Sequence, residues 1–310
     1  MSFILFLAAL AQPILPPIVP DTEAVADDAT ASAEDIVASD ADFYDRLTVP
    51  VMIGEEGPFR FLVDTGAQAT ALTERLRDRL ALKTIGTATV VGMASKTPVE
   101  LVALDDLRFA SRTFNNIEAP LLRARNIGAD GILGLDSLQA LRVIIDFRDN
   151  TIAVNDAEAL GGNSGFDIVI RARRRLGRLI ITQAKIDGIT TDIIVDTGAH
   201  GSVGNLALKK RMRSRGTAPY STTDVNGVEL LGTLNIARTL RIQSMEIRDL
   251  PIGFADAPPF EVLGLRNRPA LIMGMRDMRL FNRVAIDFAS RKVLFDVPRA
   301  SRGPGYRRRF

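Results

Sequence analysis

Cysteine and tryptophan are absent from the 310 residues, and histidine occurs once, as His200. Without cysteine the chain has no thiol nucleophile and no disulfide. A single histidine cannot complete a zinc site that needs two or more His or Cys ligands. Hydrophobic residues make up 46% and charged residues 25%, which are the proportions of an ordinary globular protein. The simplest expectation is therefore chemistry carried by oxygen groups, with no metal and no cofactor.

The formal net charge is only +2, but the charges are distributed unevenly. Residues 21–46 hold nine acids and one base, a net charge of −8, so residues 47–310 carry +10. Five of these positive charges are the arginines of the tail, residues 299–310. A basic tail on a nearly neutral body is not the pattern of a nucleic-acid-binding protein. No nucleic-acid partner is expected, and the tail favours a peripheral contact with a membrane or the cell envelope.

The N-terminal end contains an apolar run, residues 3–11, that closes with Ala9-Leu10-Ala11. Small residues in this spacing are typical of a secretory cleavage site. Four prolines between residues 13 and 20 prevent one helix of the roughly 20 apolar residues that a membrane span needs. Residues 1–20 are interpreted either as a signal peptide or as an uncleaved N-terminal anchor. Both predict an exported, periplasmic protein or one anchored to the membrane facing the periplasm. Residues 21–45 predict an acidic flexible linker.

An internal repeat organises the rest of the chain. Phe61-Leu62-Val63-Asp64-Thr65-Gly66-Ala67 and Ile193-Ile194-Val195-Asp196-Thr197-Gly198-Ala199 align at an offset of 132 residues, as do Arg46-Leu47 and Arg178-Leu179. Further on, residues 131–135 correspond to residues 271–275, and Val-x-Ile-Asp-Phe occurs at residues 143–147 and 284–288. The repeat predicts two lobes, residues 46–155 and 166–298. A glycine-rich linker at residues 156–165 joins them, and residues 299–310 form a basic tail.

Most of each lobe is expected to be strand. Residues 46–53 with 59–63, and residues 179–186 with 190–195, predict two equivalent hairpins, because turn residues separate apolar runs. Helical periodicity is limited to residues 71–82 and 206–213 and to short turns near residues 136–141 and 276–281. A run of five arginines between Arg171 and Arg178 predicts a solvated edge strand. Each Asp-Thr-Gly therefore follows directly on an apolar strand.

Asp64 and Asp196 are the candidate catalytic pair. A strand that ends in Asp holds a carboxylate at a defined, partly buried point, and glycine after threonine allows a tight turn. Two carboxylates about 3 Å apart cannot both ionise and so share one proton. The charged member can then take a proton from a water molecule while the protonated member polarises a carbonyl group. This chemistry hydrolyses a peptide bond without a metal.

These motifs resemble those of the retropepsin-like aspartic proteases, with both lobes in one chain as in the exported two-lobed bacterial members. The resemblance implies an all-β fold of two tandem β-barrel lobes with pseudo-twofold symmetry and short helices. It implies that Thr65 and Thr197 lock the two loops together, and that Gly66, Ala67, Gly198 and Ala199 complete the motif. It also implies that two strands support the loops, Ile132-Leu133-Gly134 and Ile272-Met273-Gly274. The expected activity is that of an aspartic endopeptidase, a monomer that binds polypeptide in extended form.

The flaps of such a protein are hairpins that close over the substrate and pair with its backbone. Residues 90–96, with Gly92 and Met93 at the turn, are the candidate for the first lobe. Residues 225–228, with Gly227 and Val228, are the candidate for the second. Each hairpin is also compatible with an ordinary surface role.

Other interpretations remain open. One is a non-catalytic peptide-binding or regulatory protein on the same fold, and another is a narrow processing protease for one envelope protein. His200 and Ser202 do not form a serine-hydrolase site, because the Gly-x-Ser-x-Gly turn is missing. Asp146 and Asp287 are interpreted as structural. Asp136 and Asp277 differ by one residue in register, which weakens any functional assignment for them.

Overall fold

The computed structural model describes residues 4–6, 48–110, 112–213 and 217–298. The expectations for the linker at residues 21–45 and for the tail at residues 299–310 lie outside this part of the chain, as does most of the N-terminal segment. Within the described ranges, no helix is both long enough and apolar enough to cross a membrane.

Strands dominate the structure and helices are short, so the predicted all-β, two-lobed fold is confirmed. The strands in chain order are β1 (Ile4–Phe6), β2 (Thr48–Ile53), β3 (Glu56–Val63), β4 (Ala71–Thr73), β5 (Thr84–Val91), β6 (Lys96–Leu104), β7 (Leu107–Phe109), β8 (Arg112–Phe114), β9 (Ile117–Leu122), β10 (Gly131–Leu133), β11 (Arg142–Asp146), β12 (Thr151–Asn155), β13 (Ile168–Arg171), β14 (Arg173–Arg175), β15 (Arg178–Ile186), β16 (Ile189–Val195), β17 (Val203–Gly204), β18 (Ala218–Thr223), β19 (Glu229–Ile242), β20 (Met245–Phe254), β21 (Ala270–Met273), β22 (Arg283–Asp287) and β23 (Lys292–Asp296). The helices are α1 (Glu74–Arg79), α2 (Ala124–Ile127), α3 (Leu135–Leu138), α4 (Leu206–Lys209), α5 (Pro258–Val262) and α6 (Met275–Met278).

Each half of the chain builds its own large sheet. The first has the order β1-β5-β6-β9-β4-β10-β3-β2-β7-β8, and the second has the order β14-β15-β16-β21-β17-β20-β19-β18. In the second half β15 also pairs with β19, which closes a ring. The first half makes the same closure between β2 and β7, but its long strand is interrupted at Asp105 and Asp106, where Asp106 has a left-handed φ of 50°.

The predicted hairpins are confirmed, with shifted bounds. β2 pairs with β3 and β15 with β16, both antiparallel. β3 begins at Glu56, before the expected Phe59, because the chain turns at Gly54 and Glu55 alone. The arginine run contributes the exposed edge strand β14, whereas Arg178 at the end of the run is buried.

The helix expected over residues 71–82 is wrong at both ends, because the expected segment begins as a strand and α1 ends at Arg79. Ala71–Thr73 form the buried strand β4, which pairs with β9 and β10, and α1 begins only at Glu74. Strand pairing on both sides overrides the helical periodicity here. Thr73 ends the strand and caps the helix, since its hydroxyl accepts a hydrogen bond from the Leu76 N–H at 3.1 Å. The helix expected over residues 206–213 forms only as α4, and the two expected short turns form as α3 and α6.

A third sheet is shared by the two halves, in the order β12-β11-β22-β23-β13. Its centre is the antiparallel pair β11 and β22, which are the two Val-x-Ile-Asp-Phe strings of the repeat. Here Arg142 forms an ion pair with Asp287 at 2.6 Å, with side chains only 2% and 1% exposed. Arg142 also donates to the Gly162 carbonyl and to Asn163, which ties the glycine-rich segment to this sheet.

Candidate active site

The two Asp-Thr-Gly loops leave equivalent strands. β3 runs parallel to β10, and β16 runs parallel to β21. The Asp64 N–H donates to the Leu133 carbonyl at 3.0 Å, and the Asp196 N–H donates to the Met273 carbonyl at 3.0 Å. Both residues of each apolar pair, Ile132-Leu133 and Ile272-Met273, are buried. The structure therefore places the two apolar-apolar-Gly strands directly beside the loops, where the resemblance expects them.

Asp64 and Asp196 face each other across the two lobes. They are 2% and 4% exposed. A Cβ atom added to Gly66 would lie 2.3 Å from Asp196 Oδ2, and one added to Gly198 would lie 2.3 Å from Asp64 Oδ2. Only glycine permits this approach of each loop to the opposite carboxylate.

Backbone amides hold both carboxylates. Asp64 Oδ1 accepts hydrogen bonds from the N–H groups of Gly66 at 2.7 Å and Ala67 at 2.9 Å. Asp196 Oδ1 accepts from the Gly198 N–H at 3.0 Å. Burial raises the pKa of Asp196 well above its ordinary value, and the neighbouring Asp64 charge raises it further, while Arg178 and the Gly198 N–H act against this. The pair therefore retains a proton at a pH where an exposed aspartate is ionised.

Thr65 and Thr197 join the two loops reciprocally. The Thr65 N–H donates to Thr197 Oγ1 at 3.0 Å, and the Thr197 N–H donates to Thr65 Oγ1 at 3.1 Å. Each hydroxyl then donates to the opposite strand, Thr65 to the Val195 carbonyl at 3.0 Å and Thr197 to the Val63 carbonyl at 2.6 Å. Four hydrogen bonds across the lobe boundary thus fix the loops relative to each other.

We expect Thr197→Val to destabilise the protein by about 2–4 kcal/mol, because two buried polar groups, the Thr65 N–H and the Val63 carbonyl, lose a partner. Thr197→Ser retains the hydroxyl and should cost less than about 1 kcal/mol. Chemical denaturation of both variants measures the difference. Equal stability of the two variants would contradict this expectation, because the hydroxyl would then contribute no more than the methyl group at this position.

Asp136 and Asp277 have equivalent structural roles despite their difference in register. Asp136 accepts hydrogen bonds from the Thr70 N–H and hydroxyl, and Asp277 accepts from the Ser202 N–H at 3.2 Å. The hydroxyls of Thr70 and Ser202 accept in turn from Gly134 N–H and Gly274 N–H, each at 3.2 Å. Thr70 and Ser202 also lie 132 residues apart. Ser202 therefore supports a loop, in agreement with the exclusion of a serine-hydrolase site.

Arg178 is a site residue that the sequence patterns did not indicate. It is buried, and its guanidinium group donates to the Gly66 carbonyl of the opposite lobe. Burial lowers the pKa of Arg178, and the charges of Asp196 and Asp64 oppose this shift. It therefore brings a positive charge close to the two carboxylates. The offset of 132 relates it to Arg46, which lies outside the described residues.

The two candidate flaps form the turns of the hairpins β5–β6 and β18–β19. Met93 is buried among apolar residues of the second half, with Ala199 and Ile194. Val225 is buried among residues of the first half, with Ala67 and Ile132. Gly92 and Gly227 lie in the turns, but Val228 is 41% exposed. Each flap tip thus packs into the apolar cluster of the other lobe. That cluster includes the alanine that follows the Asp-Thr-Gly of that other lobe.

Val225 is the residue of the second flap that is buried in the first half, and the repeat identifies its position. The offset of 132 residues that relates the aspartates also relates Met93 to Val225 and Gly92 to Asp224. The tip of the first flap is buried through Met93, so its repeat partner is the residue to expect in the same role.

Two buried carboxylates that are held by loop amides and lie close together form a pair that can both accept and donate a proton. A family model described as aspartyl protease matches the chain twice, over residues 49–137 and 182–276. These matches together cover more than half of the chain. The chain therefore belongs to the retropepsin-like aspartyl protease family. No curated protein matches the chain.

Proposed function

We propose that the chain is a single-chain aspartic endopeptidase, with Asp64 and Asp196 as its catalytic pair. Membership of the aspartyl protease family supports a protease function in general. The observation that carries the finer proposal is the reciprocal arrangement of the two loops, with each aspartate lying against the glycine of the opposite loop. Because one chain supplies both loops, the enzyme would act as a monomer.

The proposed mechanism uses one ionised and one protonated carboxyl group. The ionised group accepts a proton from a water molecule bound between the two aspartates, and the resulting hydroxide attacks the peptide carbonyl carbon. The protonated group donates to the carbonyl oxygen as negative charge develops there. Transfer of a proton to the leaving nitrogen then breaks the C–N bond. The raised pKa of Asp196 favours it as the protonated member.

An extended polypeptide is the proposed substrate. The outer edge of the first flap, strand β5, already accepts an added strand, because Ile4–Phe6 of the same chain pair with Thr89–Val91 in parallel register. Addition of a strand to an exposed sheet edge provides backbone hydrogen bonds that are independent of the peptide's side chains. We propose that substrates pair with this edge in place of Ile4–Phe6, with the apolar groups around Ala67 and Ala199 accommodating their side chains.

The test is cleavage of a diverse peptide library by the purified full chain at several pH values, analysed by mass spectrometry. Asp64→Asn and Asp196→Asn are compared in parallel, with Asp187→Asn as a matched control in a hairpin turn away from the loops. We expect cleavage by the parent and by the control, and none by Asp64→Asn or Asp196→Asn, the variants of the catalytic dyad. Cleavage that persists in both dyad variants would contradict the proposed pair.

Absence of cleavage by a folded parent would instead favour one of the two other interpretations. A peptide-binding protein would retain a peptide during size-exclusion chromatography without cutting it. A narrow processing protease would cut one envelope protein but not the library. Both outcomes would contradict a general endopeptidase.

A further inference from the structure

The tips of the two flaps are in direct contact. The first tip comprises Gly92–Ser95 between β5 and β6, and the second comprises Asp224–Val228 between β18 and β19. Asn226 Nδ2 donates to Ser95 Oγ at 2.9 Å. Asn126, which belongs to α2 of the first half, donates through Nδ2 to the Val225 carbonyl at 3.0 Å. The second tip is thus held by polar groups of the first lobe on both sides.

Asp224 is the centre of this contact. Asp224 is 1% exposed, and its carboxylate receives two hydrogen bonds from each tip. Oδ2 accepts from the Ala94 N–H at 3.1 Å and from the Ser95 hydroxyl at 2.6 Å. Oδ1 accepts from the N–H groups of Asn226 at 2.9 Å and Val228 at 3.0 Å, in its own turn. One side chain therefore organises its own turn and binds the opposite one.

The first tip is shaped to receive this carboxylate. A Cβ atom at Gly92 would lie 2.2 Å from Asp224 Oδ2, so no larger residue fits there while Asp224 is in place. Met93 and Val225, next to these two residues, are each buried in the apolar cluster of the opposite lobe. Polar and apolar contacts thus cross the same boundary in both directions.

We propose that Asp224 is a positioning residue that fastens the two flap tips into one cover, so that both flaps open and close together. Separation of the tips leaves the buried carboxylate without its partners in the first tip and exposes Met93 and Val225 together. If one flap opened alone, the same contacts between Asp224 and the first tip would be lost. The inference rests on the proposed function only in that the cover lies over the proposed active site.

Hydrogen–deuterium exchange of the full chain, measured by mass spectrometry without substrate, tests this proposal. In Asp224→Asn we expect the amides of both tips, in peptides covering residues 92–97 and 224–229, to exchange roughly tenfold faster, the effect of losing a hydrogen bond to a charged group. Asp224 also organises its own turn, so a purely local role would accelerate only residues 224–229. Unchanged exchange of residues 92–97 would overturn the proposal.

Ser95→Ala provides the reciprocal measurement with little risk to folding. It removes the hydroxyl that contacts Asp224 and Asn226 but leaves the hydrogen bonds within the second turn intact. We expect faster exchange of residues 224–229, in the opposite lobe. An effect confined to the first tip would contradict a shared cover.

Asp187→Asn is the matched control. Asp187 lies in the turn between β15 and β16, and its carboxylate accepts from the Thr239 N–H at 3.0 Å. We expect both tips to exchange at the parent rate in this variant. Acceleration of both tips would attribute the result to general loosening of the lobe and overturn the proposal. Because no cleavage is measured, failure of this proposal is distinguishable from failure of the proposed function.

Discussion

Replacement of either dyad aspartate with asparagine should abolish cleavage and also stabilise the folded chain at neutral pH. Loss of the acid–base pair is expected to lower the cleavage rate by about 10²- to 10⁴-fold. Stabilisation is expected because burial and the neighbouring Asp64 charge raise the pKa of Asp196. An amide at either position removes the charge repulsion, and its carbonyl oxygen still accepts from the loop N–H groups.

The sign of the pH dependence follows from proton binding. Above the ordinary pKa of an aspartate and below the raised pKa of Asp196, the folded chain holds a proton that the unfolded chain has released. Stability of the parent therefore falls as the pH rises through this window. Asp196→Asn should therefore be more stable than the parent at pH 7, and the gain should vanish near pH 3, where this position is protonated in both the folded and the unfolded parent. Thermal unfolding at the two pH values measures it, and a variant less stable than the parent at pH 7 would contradict the shared proton.

Arg142→Met is expected to produce the largest loss of stability, about 3–5 kcal/mol, because it leaves the Asp287 carboxylate buried without its cation. The pair lies at the centre of the shared sheet with almost no exposure to solvent. Although burial opposes ionisation, hydrogen bonds from Ser290 and Arg142 lower the pKa of Asp287, so its charge persists at neutral pH. Urea denaturation at pH 7 is the measurement.

Arg148→Met is the control for this prediction. Arg148 pairs with Asp146 at 3.0 Å, but its side chain is 53% exposed, so its removal should cost less than about 1 kcal/mol. Arg142→Met combined with Asp287→Asn removes both buried charges and should be more stable than Arg142→Met alone. Equal losses of stability in Arg142→Met and Arg148→Met would show that breaking the buried ion pair costs no more than breaking the exposed one.

The elements that the sequence predicts well are those that the repeat determines. An apolar strand that ends in Asp-Thr-Gly occurs twice with matching flanks, so the two hairpins follow from the amino-acid pattern. The supporting strands β10 and β21 follow from the family resemblance that this pattern carries. The helix predicted over residues 71–82 is wrong in part, because local periodicity does not register the strands that pair with Ala71–Thr73. Burial on all sides, which tertiary structure alone supplies, decides the conformation of that segment.

Arg178, Ser95 and Asp224 escape prediction for a different reason. Polar residues in turns and arginines in a basic run are ordinary at a surface, and their contacts join residues more than 110 positions apart in the chain. Sequence periodicity contains no information on such pairs. Extension of the 132-residue offset into the flaps identifies the equivalent positions Gly92 and Asp224, but not their contact.

These two positions carry different residues, which two identical subunits related by symmetry do not permit. In an assembly of two identical subunits, symmetry places the same residue at both positions. Two glycines would leave the space between the tips unfilled, and two aspartates would bring like charges together where one carboxylate already fills the available room. Within one chain the two copies can carry different residues, so one half supplies the Asp224 side chain and the other supplies the space at Gly92. The covalent link between the lobes thus allows an asymmetric contact between the flap tips, which a symmetric homodimer cannot form.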